Sequence, residues 1–219
     1  MATLKGADIS HHNGSHCVFD MLSDNNDLQF FMIKATEGRT WIDPELHRNV
    51  SDVAESHRLI GFYHYARPEN NSAEAEAMHF IDTVVSTGVK FGDFIPVLDF
   101  EGVAHTKGGQ DWALRWLNAV YESTGVRPLI YMSQSYVKNY PKVAAANYGL
   151  WVARYAKEIG DITPWTQQAM WQWTSTGYDK DTFYGSREQW YKYCEVDIPY
   201  EDRIPEGSGY CGCCCCKEG

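Results

Sequence analysis

The sequence predicts an α/β fold arranged as a closed or nearly closed barrel, irregular in its last third. Seven short apolar runs end in turn signals, and most are rich in β-branched or aromatic residues, so they read as strands. Amphipathic stretches of helical period separate the early runs, and such alternation implies parallel βα units. The connections between about Trp151 and Gly177 are too short for full helices, which sets the irregularity.

In chain order, the strands are predicted at Leu4 to Ile9, Leu28 to Ala35, Leu59 to Ala66 and Phe94 to Phe100. Pro128 to Met132, Gly149 to Arg154 and Ala169 to Thr174 follow, with a weaker eighth near Tyr178 to Phe183. A helix is predicted over Asp43 to Arg58, because Asp43-Pro44 reads as an N-cap followed by proline at the first helical position. Ser72 to Thr87 carries an apolar side through Ala75, Met78, His79 and Ile81 to Val85, and stops at Gly88. Asp111 to Thr124 spaces Trp112, Trp116, Leu117, Val120 and Tyr121 helically and stops at Gly125. A periodic stripe of this kind faces a core rather than a cofactor.

The length of 219 residues allows one large domain or two small ones. Composition shifts after Tyr193, so residues 1–193 read as one domain and 194–219 as an acidic, Cys-rich, flexible tail. Five of the seven cysteines, Cys211 and Cys213 to Cys216, fall in the last nine residues. A thiolate metal cluster and disulfides to a partner chain are further readings of it.

At 44% hydrophobic and 22% charged residues, the chain is neither disordered nor a coiled coil. No apolar run is long enough to span a membrane. A net charge of -10 argues against general nucleic-acid binding and against docking on anionic membranes. The start, Met1 to Ser10, has no apolar signal region, and Cys17 and Cys194 make no disulfide framework. Synthesis in a reducing cytoplasm is therefore expected.

The most informative segment is Phe94-Ile-Pro-Val-Leu-Asp99-Phe-Glu101-Gly102. Strand side chains alternate, so Asp99 and Glu101 point to one face, with Cα atoms roughly 6–7 Å apart. C-terminal strand ends build the active site of a barrel. Two close carboxyls raise each other's cost of ionising, so one can keep its proton near neutral pH. A protonated acid beside an ionised one is equipment for glycosidic bond cleavage. Asp8, in Gly6-Ala-Asp-Ile-Ser10, repeats the strand-end placement but reads equally as a cap or loop acid. Asp179 and Asp181, in Tyr178-Asp-Lys-Asp181, read equally as turn chemistry.

Seven blocks in order make the chain resemble glycoside hydrolase family 25, the Chalaropsis-type lysozymes. They are Gly6 to Gly14, Phe31 to Gly38, Ile60 to Pro68, Pro96 to Gly102, Pro128 to Ser133, Leu150 to Tyr155 and Met170 to Ser175. The resemblance covers about Gly6 to Tyr193. It implies a flattened, irregular TIM-like barrel of the (β/α)5β3 type. It implies hydrolysis of the β-1,4 bond from N-acetylmuramic acid to N-acetylglucosamine in peptidoglycan, without a cofactor. Glu101 then matches the acid that protonates the leaving oxygen. Asp99 matches the second carboxylate, which orients the substrate's acetamido group or stabilises the transition state. Asp8 matches the family's first-strand aspartate, and Asp179 the aspartate of its last-strand Asp-x-Asn-x-Phe motif. Asp181 stands where that motif has asparagine, which leaves open which acid faces the cleft.

Tyr63, Tyr131 and Trp151 sit near strand ends, where rings pack on sugar C–H faces and their polar tips bind hydroxyls. Tyr63 and Tyr131 match family cleft positions. Gln172 and Asp181 are further candidates for substrate contact. Lys34, Glu37 and Arg154 are expected to form buried ion pairs under the site. His64 reads as a satisfied core or rim histidine and His105 as exposed. His11 and His12 after Asp8 raise the alternative of a metal-dependent barrel hydrolase or deacetylase, although no further ligand has matching spacing. Gly6, Gly14 and Gly38 form no phosphate loop. The expected setting is a phage or prophage lysin, released through a holin or carried on a virion, that acts on bacterial peptidoglycan. A non-catalytic glycan-binding or structural virion protein on the same barrel is the other alternative.

Overall fold

The computed structural model describes residues 2–196. Within them lie the strands β1 (Leu4–Ile9), β2 (Phe30–Glu37), β3 (Trp41–Ile42), β4 (Leu59–Tyr65) and β5 (Phe94–Asp99). They continue with β6 (Leu129–Ser133), β7 (Gly149–Ala153), β8 (Met170–Thr174) and β9 (Lys180–Phe183). The helices are α1 (Cys17–Asp24), α2 (Leu46–Glu55), α3 (Ala73–Ser86), α4 (Ala104–Lys107), α5 (Gly109–Thr124), α6 (Pro141–Ala145) and α7 (Arg187–Cys194).

The sheet runs β1-β9-β8-β7-β6-β5-β4-β2-β3, and β1 also pairs with β2. Eight strands therefore close into a barrel, and β3 hangs on the outer side of the ring as a short hairpin with β2. Neighbours from β1 through β8 around the β2 side are parallel, while β9 runs antiparallel to both β8 and β1. Helices follow the first five barrel strands and are missing among the described residues between β7, β8 and β9. This is the expected alternation with an irregular last third.

All eight predicted barrel strands are present, the weakest of them as β9. Ser72 caps α3 by accepting the Ala75 N–H, and Gly125 closes α5 in the left-handed conformation. The start of α2 differs from expectation. Asp43 does not cap it; its carboxylate accepts the Glu45 N–H at 2.9 Å and the His11 N–H at 3.1 Å, so Pro44 lies in a turn. Helices α1, α4, α6 and α7 and the two-residue β3 had no counterpart in the sequence reading. The first of these begins after His16 at φ 71° with no side-chain cap, so it carries no start signal.

Strand alternation splits the apolar side chains into two cores. Inside the barrel lie Leu4, Phe30, Met32, Ile95, Val97, Leu129, Met170 and Phe183. Outside it, Phe31, Ile33, Phe62, Leu98 and Ile130 pack against Phe80, Trp116, Leu117 and Val120 of the helices. Each fully buried side chain of this size contributes about 1.5–3 kcal/mol. The interior needs small residues opposite large ones. A Cβ on Gly6 would run into the Phe30 ring, and one on Gly61 into the end of Met32.

Helix α7 plugs the floor. Trp190 is fully buried, with ring centroids 4.9 Å from Phe30 and 5.1 Å from Phe183. Cys194, placed at the head of the tail in the sequence reading, closes this helix with a buried thiol. Val196 then bridges to Val126. The tail cysteines Cys211 and Cys213 to Cys216 lie outside the described residues.

Candidate active site

Towards the C-terminal strand ends, the inward positions change from apolar to polar. Asp8 on β1, Lys34 on β2, Tyr63 and Tyr65 on β4, and Asp99 on β5 line one cleft. Tyr131 on β6, Trp151 on β7 and Gln172 on β8 complete its wall, with Glu101 and Asp179 at the rim. The cleft holds about 350 Å³. A larger hollow of about 530 Å³ opens at the opposite strand ends, but Glu195 is the one acid that lines it. Of these two cavities, the smaller holds the clustered carboxyls.

The structure brings Asp8, Asp99, Glu101, Asp179, Tyr63, Tyr131, Trp151 and Gln172 together on one surface. The ninth candidate, Asp181, is 2% exposed and lies one layer below. Asp181 points inward from β9, and Asp179, just before that strand, occupies the rim position. Tyr155, 59% exposed at the cleft edge, and Trp41, whose ring lies by Lys34, had no sequence signal beyond being aromatic.

Hydrogen bonds fix the floor. Gln172 donates from Nε2 to Asp8 Oδ2 at 2.7 Å, and its Oε1 accepts from the hydroxyls of Tyr131 at 2.9 Å and Tyr155 at 3.0 Å. Trp151 gives its indole N–H to Asp181 Oδ1 at 3.0 Å. Trp151 is 2% exposed, so its ring forms floor rather than an open platform.

Burial raises every carboxyl here. Asp8 is pushed up to about 7 by burial and then by Asp179. Asp99 is raised well above the ordinary range by burial and by Glu101. Glu101 is raised by burial, against an opposing pull from Lys34. Asp179 is raised by burial, with a hydrogen bond from Tyr155 opposing.

One cationic group faces this cluster. Lys34 is 2.7 Å from Glu37 Oε2 and lies over the rings of Trp41 and Tyr65, at 4.9 and 4.8 Å. Arg67 donates from Nε to Glu37 Oε1 at 2.7 Å. Glu37 is half-buried, yet its two cations outweigh burial and lower its pKa. Arg154 does not join this network as expected. Its guanidinium donates to the Ile159 carbonyl at 2.9 Å, because its strand position turns it away to the β7–β8 connection.

The histidines divide. His64 is buried between Thr36 and Glu76, each at 2.8 Å, as the core reading expected. His105 is not simply exposed; it stacks on Tyr136 and faces the Tyr140 hydroxyl at 2.6 Å. His11 turns Nδ1 to Asp43 at 2.8 Å. Among the described residues, no group of three His, Cys, Asp or Glu side chains is placed to hold a metal ion. Nor is any helix there long and apolar enough to cross a membrane.

Known proteins resemble this chain in sequence and fold. The sequence profile of Glycosyl hydrolases family 25 matches residues 7–182. The uncharacterized protein YegX of Escherichia coli K12 is 35% identical over 164 residues, 73% of this chain and 59% of YegX. The lysozyme of Streptococcus phage Cp-9 is 28% identical over 189 residues, 80% of this chain and 52% of that protein. The chain thus spans between half and three fifths of the length of these relatives. The muramidase of Trichobolus zukalii superposes with a TM-score of 0.75 at 28% identity, covering 89% of this chain and 99% of its own. The profile match runs from the first barrel strand into the last and takes in every carboxyl of the cleft, so the chain belongs to glycosyl hydrolase family 25.

Proposed function

We propose that the chain is a peptidoglycan hydrolase, an N-acetylmuramidase cleaving the β-1,4 bond from N-acetylmuramic acid to N-acetylglucosamine. One observation carries the reading: Asp99 and Glu101 lie on one inward face at the end of β5, in a cleft whose burial keeps protons on its acids. Membership of a family that includes a muramidase and phage lysozymes among its relatives supports the substrate.

Glu101 sits at the rim, half-buried, and burial raises its pKa above that of a free glutamate, which favours the protonated acid. It delivers that proton to the glycosidic oxygen as the bond breaks, then draws a proton from the incoming water. Asp99 lies deeper and serves as the second carboxyl beneath the sugar. Asp8 and Asp179, in their ionised forms, add negative charge towards the carbocation-like centre. Tyr63, Tyr131 and Gln172 supply hydrogen-bonding tips to the sugar, with Tyr155 at the edge.

The setting we propose is a phage or prophage lysin, made in the host cytoplasm and reaching the wall through a holin or on a virion. Similarity to a phage lysozyme supports it.

Digestion of defined peptidoglycan with mass analysis of the products is the test. New reducing ends on N-acetylmuramic acid are expected. Glu101→Gln should lower their release roughly 10²–10⁴-fold while the thermal midpoint is kept. Full activity in that variant would refute the assignment. A chelator should leave the wild-type rate unchanged; inactivation would favour the metal hydrolase instead. Wall binding without any released product would favour the non-catalytic alternative.

A further inference from the structure

Asp181 is a buried carboxyl that the mechanism does not use. It is 2% exposed, and its strand partners are Gly6 on β1 and Gln172 on β8. One oxygen is satisfied by the Trp151 indole. The other, Oδ2, is buried and receives no donor from the surrounding side chains. Its neighbour is another carboxyl, Asp8, close enough for the two side chains to act directly on each other.

The donors in reach are counted easily. The Gln172 amide goes to Asp8, and the Trp151 indole to Asp181. Both are neutral. Lys34 is committed to Glu37 on the far side of the cleft. Two carboxylates cannot share a contact without a cation or a proton between them. A proton is the one part that completes the geometry: on Asp181 Oδ2, it turns an orphaned acceptor into a donor to Asp8.

We propose that Asp181 is a neutral carboxylic acid that donates its proton to Asp8 and holds that side chain in its cleft-facing orientation, as a positioning residue. The part of this that concerns catalysis rests on the muramidase reading; the part that concerns the proton does not. Burial, and then Asp8, pushes Asp181 well above the ordinary aspartate range. The other ionisable group acting on it is Asp179, just before β9, which is no cation. The cleft above is lined by Asp99, Glu101, Tyr63 and Tyr131, and by Lys34 and His12 near its β1 and β2 walls.

Two variants test the idea. Asp181→Asn keeps an N–H donor and cannot ionise; Asp181→Leu keeps the bulk and has no donor. The first readout is thermal stability against pH, which needs no substrate. The folded wild type retains a proton that the unfolded chain loses above the ordinary aspartate range, so its stability falls relative to Asp181→Asn as pH rises. The gap in Tm between the two should widen with pH from about 5 to 9, by up to roughly 3–5 °C per unit. A gap independent of pH would overturn the proposal, whatever the enzyme's substrate. The second readout is kinetic. Asp181→Leu is expected to lower kcat at least about tenfold, the scale of one lost positioning hydrogen bond, with KM little changed, and asparagine to recover most of that loss. Equal losses in both variants would also overturn it. If the wild type releases no product from cell walls, the muramidase reading fails, and the stability arm still decides the protonation state.

Discussion

The acids of the cleft make pH a variable of the fold itself. Asp8 is raised to about 7, and Asp99 and Asp181 are raised well above the usual range, in each case chiefly by burial. A carboxyl raised in the folded state stabilises it fully below the unfolded pKa, and that contribution is lost as pH rises through the folded one. His64 and His105 act in the opposite sense. Burial lowers both, so their contribution is complete above the ordinary histidine value and is lost as pH falls. Above about pH 6.5 the histidines no longer titrate, while Asp8, raised to about 7, still does. The thermal midpoint is therefore expected to fall between about pH 6.5 and 8. A differential scanning calorimetry series across that span is the check, and a rising midpoint would contradict the assigned protonation. At this scale the sequence was most legible where chemistry and strand period coincide, as in Asp99 and Glu101. It was least legible at Asp181. Parity alone puts Asp179 and Asp181 on one face, and the depth of each layer depends on the register with β1 and β8.

Elements with a periodic face and a cap could be read directly; those held by tertiary contact could not. Helix α5 announces itself through Trp112, Trp116 and Val120 and stops at Gly125. Helix α7 was passed over, although Ser186 and Gln189 form a capping box. Its eight residues are mostly polar or exposed, and one indole does the packing. That indole closes the barrel floor against Phe30 and Phe183. Trp190→Ala should cost about 3–5 kcal/mol in urea-induced unfolding, because the ring leaves a cavity that the strands cannot close. A loss under about 1 kcal/mol would mean that the floor is held by other contacts. The hairpin β2–β3 was likewise invisible, since two residues have no measurable period, yet it brings Trp41 over Lys34.

For the molecule as a whole, the count and alternation of strands announced a barrel, and short late connections announced its irregular end. What they did not show is the closure: β9 reverses direction and joins β8 to β1. That junction has a consequence for biosynthesis. Leu4, in the first barrel strand, finds its partner only when Phe183 has been made. Until then β1 and β8 each present an unpaired edge, and the walls that carry Asp8 and Gln172 cannot meet. Contacts of such sequence separation are slow to form. The nascent chain thus carries Asp99 and Glu101 well before it has a cleft to put them in, and that cleft comes into being only after nearly all of the barrel has been synthesised.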